Sequence, residues 1–74
     1  MTGALPVVSG AAVVRALKRA GFEQVSQRGS HVKLRHASPP RTTVVPLHSE
    51  LDVGTLKAIL RQADLTAEAF RRLL

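Results

Sequence analysis

The sequence predicts an α+β fold. One helix, three antiparallel strands and a second helix follow in order, with helices on one face of the sheet and a short extra C-terminal helix. Three observations lead there. Apolar residues recur at helical spacing in two separated stretches, polar and apolar residues alternate between them, and 74 residues make one domain, 1–74, with no room for a second. A chain this small buries only about 60% of its unfolded surface, so its core must be simple. Phe22 and Phe70 are its only aromatic residues, which leaves the core to aliphatic side chains.

The first helix is read from "SGAAVVRALKRAG". Ser9 is its cap, Val13, Val14, Leu17 and Ala20 form the apolar stripe, and Gly21 is the expected terminator. Phe22, just beyond, folds back onto the helix end. "FEQVSQ" and "HVKLRH" then alternate around "RGS", a tight turn in which Gly29 takes a positive φ. In the second strand Val32, Leu34 and His36 share one face, and His31, Lys33 and Arg35 share the other. Because Val32 and Leu34 seek the core, His31 is expected to point away from the helices. "ASPPR" reads as a loop and "TTVVP" as the third strand, ended by Pro46. Asp52 caps a helix carrying Leu56, Ile59, Leu60 and Ala63, and Thr66 caps the terminal one, which carries Phe70.

Composition narrows the function. The formal net charge is +6. Between Ala11 and His48 seven Lys/Arg face one acid, Glu23, whereas Ser49 to Leu74 holds four of each sign. A concentrated basic surface suits phosphate backbones or an acidic partner. There is no cysteine, hence no disulfide or thiolate metal site, which fits a reducing cytoplasm. "MTGALPVVSG" lacks the basic segment and apolar run of a signal peptide, and no stretch approaches the ~20 apolar residues of a membrane span. A cytoplasmic protein is expected.

No Gly-rich phosphate loop occurs, and five scattered carboxylates make a poor acid/base pair. His31 and His36, five apart on a strand, face opposite sides and cannot chelate one ion, so neither metal nor cofactor is expected. His31 remains as the acid/base candidate. Lys33 lies about 6.6 Å further along the same face, within reach of a phosphate that His31 also touches, and Arg35 follows at the next step. A histidine with neighbouring cations is the equipment for RNA cleavage by the 2′-hydroxyl: one group moves protons and the cations stabilise the phosphorane. His36 reads as a core-edge residue. His48, in the loop after the third strand, either approaches the site or binds backbone. Gly54 and Thr55, with Lys57, start a helix and either hold an anion or simply cap it.

"LKRAGFEQVSQRGSHVKLRH", "VVPLHSEL" and "GTLKAILRQADLT" together resemble the HicA family of bacterial toxins, small mRNA interferases of type II toxin–antitoxin pairs, over residues from about 9 to 66. The resemblance implies a fold like a double-stranded-RNA-binding domain. It implies endoribonuclease cleavage of mRNA with His31, the histidine of "GSH", as catalytic residue, and a HicB-type antitoxin that covers it in an oligomeric complex. Arg28, Gly29 and Ser30 lead into that histidine and, with Lys33 and Arg35, are the expected RNA-phosphate contacts; His48 and Thr55 match recurring family positions and, with Lys57, are the secondary site candidates. Leu34 stands where the family often has an aromatic residue, and Leu47 where it often has a basic one. The rival reading is a non-catalytic RNA-binding module of the same fold. A helix-turn-helix DNA binder would need a helix through Gly29, Val32 and Leu34, where the period is two and not 3.6.

Overall fold

The computed structural model describes residues 5–74; the first four residues of the opening stretch, read above for a leader, lie outside the described residues. The elements run α1 (Gly10–Arg19), β1 (Glu23–Arg28), β2 (His31–His36), β3 (Arg41–Pro46), α2 (Val53–Ala63) and α3 (Ala67–Leu73). The expected α-β-β-β-α order, with a short C-terminal helix, is what the chain forms. The three strands make one antiparallel sheet in the order β1-β2-β3.

Each helix starts where its capping side chain stops an orphan amide from being left bare. Ser9 Oγ accepts from Ala12 N–H (3.1 Å), Asp52 Oδ1 from Thr55 N–H (3.1 Å) and Thr66 Oγ1 from Ala69 N–H (3.0 Å). α1 ends in a Schellman motif. Gly21 takes a φ of 99°, its N–H bonds the Lys18 carbonyl, and Phe22 N–H bonds Leu17 (3.0 Å), turning the Phe22 ring into the core. α2 ends with Asp64 at φ 58°, a left-handed position usually given to glycine and therefore not evident in the sequence.

Alternate residues of β2 and β3 are buried: Val32, Leu34, Thr43 and Val45. They meet Val13, Ala16 and Leu17 of α1 and Leu56, Ile59 and Leu60 of α2 in one cluster. Thr43, a buried polar residue, donates its hydroxyl to Gln62 Oε1 (2.7 Å) and so ties β3 to α2 without an unpaired group. β1 behaves otherwise. It is an edge strand exposed along its length, and a bulge between Gln24 and Ser26 takes Val25 out of the alternation. Arg41, read as loop, opens β3 opposite His36, because unlike the two prolines before it an arginine has an N–H to give the ladder. Its guanidinium reaches Asp64 (3.1 Å).

Gly10 has a role its sequence context does not disclose. A methyl group there would run into the Pro46 carbonyl oxygen and lie 2.9 Å from the Leu47 Cα. The obstacle is backbone, so no rotamer change relieves it. Gly10→Ala is expected to destabilise the domain by about 1–3 kcal/mol, the usual cost of overpacking. The melting temperature should then fall by roughly 4–8 °C per kcal/mol. An unchanged melting temperature would mean that α1 moves off the sheet end freely.

Candidate active site on the open sheet face

The face of the sheet turned away from the helices is built in rows by the strand register. Arg28, His31 and Pro46 lie side by side; next come Ser26, Lys33 and Val44; then Glu23, Arg35 and Thr42. Paired residues in a ladder share a face, and successive rows stand about 6.6 Å apart. His31, Lys33 and Arg35 are all exposed, because Val32 and Leu34 between them are taken by the core. The face thus gathers Arg28, His31, Lys33 and Arg35. Its one acid, Glu23, stands opposite Arg35, so the uncompensated positive charge is strongest around His31.

His31 owes its place to the turn before it. Gly29 adopts φ 57° and Ser30 does not share the positive angle, the pattern of a two-residue hairpin turn with glycine first. No atom lies within 4 Å of where a Gly29 Cβ would stand, so the position needs glycine for its backbone angle and not for room. The Gln27 amide donates to the Gly29 carbonyl (3.0 Å) and steadies the turn. Ser30, on the other side of it, accepts through its carbonyl from Leu47 N–H (2.6 Å). That bond ties the chain beyond β3 to the same turn. The His31 side chain has no hydrogen-bond or ion-pair partner among the described residues, which leaves both ring nitrogens open to a ligand.

The secondary candidates separate. His48 is exposed in the segment held to Ser30, at the His31 end of the sheet, and its carbonyl accepts from Gly10 N–H (2.9 Å). Thr55 does not offer a free amide, since Asp52 takes it. Those Thr55 hydrogen bonds hold the Asp52 carboxyl below its ordinary range, with a smaller contribution from the charge of His48 nearby. A carboxylate there competes with any anion at the start of α2. Lys57 lies along α2 beside Leu60, Arg61, Leu65 and Ala67, lining a groove away from the His31 face.

His36 is a half-buried residue on the helix side. Its ring packs on Phe22 (centroids 5.2 Å apart) and its Nδ1 lies 3.1 Å from the Pro39 carbonyl. With Arg41 and Asp64 it borders a cleft of about 220 Å³ separated from His31 by the sheet. No group of three or more His, Cys, Asp or Glu gathers as a metal site among the described residues. None of the described helices is long and apolar enough to cross a membrane.

The fold and the site together define a small α+β domain with a basic, histidine-bearing sheet face opposite its helices. The family comparison makes this specific. The family described as HicA toxin of bacterial toxin-antitoxin matches residues 10–65, well over half of the chain, and the protein belongs to that family. It is a toxin of a toxin–antitoxin system, and such a system implies an antitoxin partner. No curated protein matches the chain.

Proposed function

We propose that the protein is an endoribonuclease that cuts mRNA without a metal ion, with His31 transferring protons and Arg28, Lys33 and Arg35 holding the backbone phosphates. The observation that carries this reading is the position of His31: exposed, without a partner, and set among cations on the face the helices leave open. The 2′-hydroxyl would attack the adjacent phosphorus while an imidazole takes its proton, and the cations would compensate charge on the phosphorane oxygens. Gly29 and Ser30 serve by shaping the turn. The same face would be covered by the antitoxin, of HicB type, in an oligomeric complex in the cytoplasm. An inhibitor seated there would block substrate and catalyst together.

The test is to incubate the purified protein with a long single-stranded RNA in EDTA and identify the new ends. Fragments ending in 2′,3′-cyclic phosphate and 5′-hydroxyl are expected. Binding without cutting, over a range of RNAs, would instead make the protein an RNA-binding module.

A further inference from the structure

We infer that His48 is a second catalytic residue, the proton donor to the leaving 5′-oxygen, acting beside His31 on the same phosphate; this rests on the nuclease reading above. The β2–β3 register places Pro46 opposite His31. The bond from Leu47 N–H to the Ser30 carbonyl carries that register one residue further, to the turn itself. Leu47 packs against the core. In an extended chain its neighbours on either side therefore point the other way, to the open face. The backbone agrees: Leu47 bonds toward β2, whereas the next carbonyl, that of His48, turns to Gly10 on the opposite side. His48 is exposed and becomes a diagonal neighbour of His31, at about 7–8 Å between Cα atoms. Two imidazoles at that spacing leave room for one phosphate between them, each at a hydrogen-bond distance of about 2.8 Å.

The segment is irregular but not loose. Gly10 N–H holds the His48 carbonyl (2.9 Å), and Leu51 N–H is bonded to the Val8 carbonyl (2.9 Å). The surroundings of the two histidines also differ in charge. His31 is flanked by Arg28 and Lys33, whereas Asp52 lies near His48.

The step then balances. The bond between O2′ and phosphorus forms as the 2′-hydroxyl proton passes to His31. The bond between phosphorus and O5′ breaks as His48 gives O5′ its proton. The products are a 2′,3′-cyclic phosphate and a 5′-hydroxyl, and exchange with water restores both imidazoles.

The test compares two substrates at a cleavage site first mapped with the parent protein: ordinary RNA, and RNA with sulfur replacing the bridging 5′-oxygen there. A thiolate leaves without needing a proton. His48→Ala is expected to slow cleavage of ordinary RNA by about 10²–10⁴-fold yet to cut the sulfur-bridged RNA close to the parent rate. His31→Ala should fail on both. His48→Gln supplies the same comparison should the alanine variant not fold. Equal losses on the two substrates, or no loss on ordinary RNA, would overturn the assignment of His48 while leaving the nuclease reading in place. A parent protein that cuts neither substrate would overturn the nuclease reading, and this assignment with it.

Discussion

His31→Ala is expected to abolish RNA cleavage and toxicity while melting at the temperature of the parent protein. The two halves of that result have separate causes. An imidazole that moves a proton in the transition state contributes about 10²–10⁴ in rate, or roughly 3–5 kcal/mol of barrier. The same side chain contributes little to folding, because it is exposed and has no hydrogen-bond partner in the described structure. Surface changes of that kind usually fall within about 0.5 kcal/mol. Rates on a mapped RNA and a thermal melt of the same preparation check both halves. Cleavage retained by the variant would remove His31 from the mechanism. A large drop in melting temperature would mean that the histidine is engaged in the fold and that loss of activity says nothing about chemistry.

Phe70→Ala should behave in the opposite way. Phe70 is completely buried and is the largest of the fully buried side chains, yet it sits on α3, beyond the segment the family comparison matches. A seven-residue helix has no stability of its own. It is held by the Thr66 cap, by Phe70 in the core cluster and by Arg19, whose guanidinium donates to the Leu73 carbonyl (2.7 Å). Truncating a buried Phe costs about 3–5 kcal/mol, against a total for small domains near the low end of about 5–15 kcal/mol. The melting temperature is expected to fall by at least 12 °C or so. Cleavage per folded molecule, measured at a temperature where the variant is still folded, should be close to that of the parent, since the sheet face is untouched. A loss below about 1 kcal/mol would show α3 to be dispensable, the core closing over its absence.

The contrast between these two residues also marks what the sequence discloses. Phe70 looked like one apolar residue of a short helix; its depth comes from where α3 packs. His31 was legible because strand alternation is a local rule. Once Val32 and Leu34 are assigned to the core, the residue before them must face the other way. The helix boundaries were legible for the same reason. Ser9, Asp52, Thr66 and Gly21 act on amides and carbonyls within a few residues of themselves. The end of α2 was not, since Asp64 holds a backbone angle usually reserved for glycine.

His48 lay between these cases. Its sequence neighbours place it in a loop, and alternation does not project past Pro46, which has no N–H to carry the ladder on. The Leu47–Ser30 bond and the packing of Leu47 supply what was missing. Anion binding at the start of α2 met the converse outcome. The sequence allowed either capping or a phosphate site there, and the carboxylate of Asp52 occupies the Thr55 amide that a phosphate would need. Sequence distance alone places Lys57 with that site, and the helix carries it into a different groove.

By itself, then, the sequence determined the order of elements, their caps, the inward and outward sides of β2, and the excess of positive charge. All of these follow from interactions reaching no further than a few residues along the chain. The tertiary structure decided which charges stand together, that Gly10 must lack a side chain, and that Phe70 belongs to the core. It also decided that the chain after β3 returns to the turn before His31. Those depend on contacts between residues far apart in sequence, and only the packed sheet and helices bring them within reach of one another.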